Sequence, residues 1–322
     1  MRKNTNTCNI EGFLHECALE IKTVQNQQSA NFGKEFIKGS LSVATDNAGL
    51  NVITVYYTYV TPTTKSGSPN NTFNVLKKLM ESGKTVIKDG AAAATKVKLN
   101  PSLSLNDFYP NGGDELVSQL RCEGGFASIV NELNPNEASR KKFTADMVIN
   151  QVVHVEADPE KHIDKDYVKI RGVIFDFRNA VLPVEFVARR EDAMGYFESL
   201  DASNANKIYT QVSGEVNNTT VVIEKTIESA FGGPQVDISE RHSREFVITW
   251  AKPLPYIYGD ETTVTDADLE KAFQDRNVYL EDVKTRAKEY YASRGNAAAS
   301  AFDNAMPTPV SGGVIPAGNF NF

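Results

Sequence analysis

Aromatic rings and cations recur along two stretches of this sequence, and together they suit one kind of chemistry. In the first stretch, Phe36 and Lys38 stand two residues apart, Tyr56 lies in the next apolar run, and Lys22, Lys65 and Arg121 lie near loop ends. In the second, Lys169 and Arg171 are followed by Phe175 and Phe177, and Arg189 and Arg190 close the next apolar run. Arg140, Lys141 and Lys142 lie between the two sets. Rings stack on unpaired bases, each stack being worth about 1–3 kcal/mol by alanine substitution, while cations track a phosphate backbone. These are the candidate nucleic-acid-binding residues. Each also has a plainer role open to it: exposed Lys and Arg on strands solubilise edges, and Tyr56 could equally cover the end of an apolar cluster.

Other chemistries lack their residues. His15, His154, His162 and His242 are scattered, and although His15 lies near Cys17, no zinc-ligand spacing is present. Gly83-Lys84-Thr85 resembles the end of a P-loop, but Lys78 stands where the first glycine belongs, and the stretch follows a helical pattern instead of opening one. Asp158, Glu160, Asp164 and Asp166 form an acidic stretch that suits a solvated loop better than a metal site. Neither an enzyme nor a cofactor is expected.

The elements that position the rings are strands. Phe36 to Ala44 alternates, with Ile37, Leu41 and Val43 on one face and Phe36, Lys38 and Ser40 on the other. Val52 to Val60 puts Ile53, Val55, Tyr57 and Tyr59 on one face and Thr54, Tyr56 and Thr58 on the other. Period-two alternation marks a half-buried strand, and Asp46-Asn47-Ala48-Gly49 supplies a turn between the two. Asn9 to Lys22 reads as a preceding strand, Thr72 to Glu81 as a short helix, and Ala94 to Leu105 and Glu115 to Glu132 as further strands. Three strands, a helix and two strands is the element order of an OB-fold, whose strands 2 and 3 bind oligonucleotides. Other small barrels and sandwiches share that order.

The pattern repeats. IKGSLSV at Ile37 matches IRGVIFD at Ile170, 133 positions on, and ITVYYTYV at Ile53 matches LPVEFVAR at Leu182, 129 positions on. A helical stretch follows each pair, Asn74 to Glu81 and Glu191 to Leu200. Near-constant offsets suggest duplicated units. The expectation is a mainly β protein with two OB-fold-like small barrels in tandem. These would span residues 9–138 and 142–258, each with a short helix. A C-terminal helix over 265–293 would follow, capped by Thr265 and Asp268 and with a break near Asn277. Residues 295–322, whose only charged side chain is Asp303, would form a flexible tail ending in Phe320 and Phe322.

The 322 residues, 41% hydrophobic and 23% charged, allow two soluble domains. A net charge of −7 does not favour nucleic-acid binding over the whole surface, but a local basic groove fits on an acidic body. Three thinly spread cysteines point to a reducing cytoplasm. The polar N-terminus lacks a signal-peptide core, and no run approaches the ~20 apolar residues of a membrane span.

The stretches EFIKGSLSVATD, NVITVYYTYV, YVKIRGVIFDFR and LPVEFVARREDAMGYFES resemble the single-stranded-DNA-binding proteins of tailed bacteriophages in a tandem OB-fold form. The resemblance runs from about Asn9 to the end of the C-terminal helix. It implies coating of single-stranded DNA, without sequence preference, in phage DNA replication or recombination in the host cytoplasm. Tails in that family often carry an acidic stretch and a terminal Phe that recruits replication or recombination proteins. Here Phe322 is present and the acidic stretch is not. Two alternatives stay open. One is a structural or protein-interaction β module, in a virion or bound to a host partner. The other is an annealing factor, which needs only binding and release of strands.

Overall fold

The computed structural model describes residues 3–158, 163–227, 231, 233, 235–260, 262–295 and 314–316. The protein is mainly β with a long C-terminal helix. Its first half contains β1 (Asn6–Thr23), β2 (Glu35–Ala44), β3 (Val52–Val60), helices α1 (Asn71–Ser82) and α2 (Val86–Asp89), β4 (Lys96–Phe108) and β5 (Val117–Ile129). The strands close on themselves in the order β1-β2-β3-β5-β4-β1, with only the β3–β5 contact parallel. The alternation drives this closure. Ile37, Leu41, Val55 and Leu99 all point inward and are wholly buried. Helix α1 plugs one end with Phe73, Leu76 and Leu79. It starts where the Asn70 side chain accepts the Thr72 N–H and stops at Gly83, whose N–H bonds the Leu79 carbonyl.

The second half repeats the plan. Strands β6 (Lys141–Val155), β7 (Tyr167–Phe175), β8 (Val181–Ala188), β9 (Ile208–Ile227) and β10 (Gln235–Ala251) close in the order β6-β7-β8-β10-β9-β6, again with one parallel contact, Val187 to Val247. Helix α3 (Glu191–Glu198) lies between β8 and β9 and packs Phe197 into a core that includes Phe143, Phe186 and Phe246. Both rings have the strand order of an OB-like barrel. They also share a contact that only glycine permits. A Cβ on Gly39 would sit 2.1 Å from the Ala18 carbonyl oxygen of β1, and one on Gly172 would sit 2.0 Å from that of Val148 on β6. Each second strand coils closely over the first at the same point of the repeat.

The rings are joined as one sheet. Asn6 to Ile10 of β1 pairs with Lys141 to Ala145 of β6. Asn51 accepts the Asn218 N–H at 2.8 Å and donates to the Val216 carbonyl at 3.2 Å. Helix α4 (Asp266–Gly295) spans both rings without the break expected near Asn277. Thr265 and Asp268 make the reciprocal cap the sequence predicts: the Asp268 N–H bonds the Thr265 hydroxyl at 3.2 Å, and the Thr265 N–H bonds the Asp268 carboxylate at 3.1 Å. The first half of α4 buries Leu269 and Ala272 on Val173, Phe175 and Val181 of the second ring. Further along, the helix reaches the first ring, where Arg276 bonds Asp107 of β4 at 2.8 Å and Lys284 and Lys288 bond Asp114 of the β4–β5 loop at 2.9 and 3.0 Å.

Of the expected tail, Val314–Pro316 is described, as strand β11 antiparallel to Val117–Gln119 of β5. Phe320 and Phe322 lie outside the described residues, as do Pro159, Glu160 and His162 of the acidic stretch. Among the described residues, no helix is long and apolar enough to cross a membrane.

Candidate nucleic-acid interface

In the first ring the outward face of β2 and β3 carries the expected rings, with one addition. Ile37 pairs with Val60 and Gly39 with Tyr57, so two β3 residues, Thr58 and Tyr59, oppose Lys38 alone. This bulge turns Tyr59 outward. It is 46% exposed and lies 4.7 Å from Phe36, centroid to centroid. Alternation assigns Tyr59 to the core, and nothing in the sequence marks the bulge. Tyr56 stands on the same face, half-buried, with the Arg121 guanidinium 4.9 Å from its ring centre.

The cations of this face are held by carboxylates. Lys22 and Lys38 flank Glu20 at 3.2 and 3.3 Å, and the Lys22 ammonium holds the Glu20 carboxyl below its usual range. Arg121 bonds Glu123 at 2.8 Å and Asn106 at 2.9 Å. Lys65 is exposed in the loop that leads to α1. The pairs of Lys22 and Lys38 with Glu20 are open to water and worth about 0–1 kcal/mol, so a phosphate can replace that carboxylate at small cost. The Arg121–Glu123 pair is more enclosed, with side-chain exposures of 18% and 21%.

The second ring offers a shorter face. Tyr167, Lys169 and Arg171 point outward from β7, and Lys169 and Arg171 share Glu185 of β8 at 3.2 and 2.8 Å. Arg189 lies 4.7 Å from the Tyr167 ring centre and bonds Glu245, while Arg190 bonds Asp192. Tyr167 was legible in the sequence, since it stands two residues before Lys169 and so shares its face. Phe177 is 86% exposed in the β7–β8 turn, with the Arg178 guanidinium 4.9 Å from its ring.

Two expected contacts are corrected. Phe175 lies on the outward face but is wholly buried, because α4 roofs that end of the sheet. Arg140 is 4% exposed. Its guanidinium donates to the Asn134 carbonyl and, at 2.9 Å, to Asn47, so it fastens the inter-ring segment to the β2–β3 turn. Its neighbours Lys141 and Lys142 pair with Glu215 on the adjacent strand β9 of the second ring, at 3.3 and 3.4 Å. Among the described residues, no cluster of His, Cys, Asp and Glu could hold a metal ion.

Comparison with solved structures gives distant matches. The wild-type single-stranded DNA binding protein of Thermus aquaticus matches with a TM-score of 0.46 and 10% identity, over 78% of this chain and 93% of that one. Its deletion mutant delta 228-252 R190A matches with a TM-score of 0.44 and 10% identity, over 80% and 98%. A replication protein A heterotrimer bound to ssDNA matches with a TM-score of 0.20 and 11% identity, over 89% and 70%. No curated protein matches the chain. The family model YorF matches residues 4–286, well over half of the sequence, and the chain belongs to the YorF family.

Proposed function

We propose that this protein binds single-stranded DNA without sequence preference, as a non-enzymatic coating protein in phage DNA replication or recombination. The observation that carries the reading is the set of aromatic contacts on the outward faces of the two rings: Phe36 with Tyr59, Tyr56 with Arg121, and Tyr167 with Arg189. A row of π-faces accepts any base, and cations in exposed ion pairs accept phosphate. Such a site works in the host cytoplasm without a cofactor. Phe320 and Phe322 of the tail are the proposed contact for replication or recombination proteins.

Titrating a labelled oligo(dT) against salt tests the reading. Affinity should fall with a slope of about −0.7 per phosphate neutralised, and duplex DNA of equal length should bind more weakly. Absence of oligo(dT) binding at low salt overturns it. One observation favours a second reading: nearly every candidate cation already has a carboxylate partner, on a protein of net charge −7. A protein-interaction β module, in a virion or bound to a host partner, would be indifferent to both oligonucleotides.

A further inference from the structure

Trp250 is the only tryptophan of the chain, and its side chain is placed by a bulge. Phe246 and Ile248 point into the second ring, and simple alternation would send Trp250 after them. Ile248 pairs with Gly214 and Trp250 with Ser213, leaving Thr249 as the extra residue. The extra residue rotates the indole outward, 48% exposed. There it borders a cleft of about 390 Å³ between the end of β10 and α3, lined by Ala193, Tyr196, Phe197, Ile248 and Pro253, with Arg190 beside them. That volume is at the small end of the range for clefts that take small molecules.

The cleft is fitted for a flat apolar group joined to an anion. Its walls are mostly apolar or aromatic, with Thr249, Asp192 and Arg190 at the polar positions, and the Tyr196 hydroxyl is already engaged with the Lys252 carbonyl at 3.1 Å. Arg190 supplies the cation. It bonds Asp192, two residues further on, and both side chains are mostly exposed, so the pair opens readily. Arg190 directly follows Arg189, which covers Tyr167 of the face described above.

We propose that this cleft is a further base-stacking site, in which an unpaired base lies on the Trp250 indole and its phosphate takes Arg190 from Asp192. This rests on the reading of the protein as a single-stranded-DNA binder. It places a contact off the strand-2 and strand-3 faces.

A single tryptophan makes the test direct. Binding of a labelled oligo(dT) is followed by anisotropy, and Trp250 emission is followed in the same titration of the full chain. Oligo(dT) should quench the emission in step with binding. An abasic oligonucleotide of equal length should bind without quenching. Trp250→Ala should weaken oligo(dT) binding about 5- to 150-fold, and Trp250→Phe should restore most of the loss. If oligo(dT) binds the wild-type protein while the emission stays unchanged, the cleft site is overturned and the DNA-binding reading stands. If oligo(dT) does not bind at all, both fall. The wild-type titration decides even where a variant fails to fold.

Discussion

Tyr59, Phe126 and Trp250 share one history. Each falls in phase with buried residues of its own strand, and each is exposed, at 46%, 76% and 48%. Register irregularities precede all three: Thr58 and Tyr59 face Lys38 alone, Gly124 and Gly125 stand where β4 supplies only Pro101, and Thr249 is extra in β10. One added residue flips a side chain from core to solvent. Alternation therefore finds Phe36 and Tyr56 but misplaces the ring that pairs with Phe36. Truncating the exposed rings should separate binding from folding. Tyr56→Ala and Tyr59→Ala should each cost about 1–3 kcal/mol in oligo(dT) binding, measured by anisotropy. Their thermal midpoints should stay near wild type, since neither ring is part of the core. A large fall in midpoint would place the ring in a structural role instead.

Helix α4 decides how much of each barrel stays open. Its apolar residues cover Val173, Phe175 and Val181, which shortens the outward face of the second ring to Tyr167, Lys169 and Arg171. On the first ring it touches β4 and the β4–β5 loop instead and leaves the face of β2 and β3 open. The ion pair of Arg276 with Asp107 is nearly sealed, with side-chain exposures of 10% and 1%. Removing one partner of such a pair costs about 3–5 kcal/mol, because the other charge is left buried. Arg276→Ala should therefore lower stability by an amount near the bottom of that range, since Ser118 still donates to Asp107. Urea unfolding would measure it. The outer contact is pH-sensitive. Bonds from Lys284 and then Lys288 push the Asp114 carboxyl down from 3.8 to about 2. A lowered carboxyl stabilises the fold above its unfolded value, and that contribution is lost as pH falls from about 4 to about 2. Protection factors of the β4–β5 loop amides, taken relative to intrinsic exchange at each pH, should fall across that window in the wild type. In Lys284→Ala/Lys288→Ala the loop should already exchange fast at neutral pH.

At the scale of the whole molecule, the two rings form one body through the β1–β6 pairing, the Asn51 contacts and α4. A bound strand would thus meet fixed surfaces, not two barrels swinging on a linker. Arg140, which the sequence offers as a cation between the units, instead fastens that junction. The sequence by itself determined most of the strands and most of their inward-facing residues, because period-two alternation is a local property of neighbouring residues. It also carried the repeat, down to Gly39 and Gly172, because close contact of the first and second strands demands glycine in both rings. Only the tertiary structure decided which rings reach solvent and which cations have carboxylates beside them. Bulges, the roof over Phe175 and the partners of Lys38 and Arg171 all depend on residues far apart in the chain. No periodicity within a single strand records those neighbours.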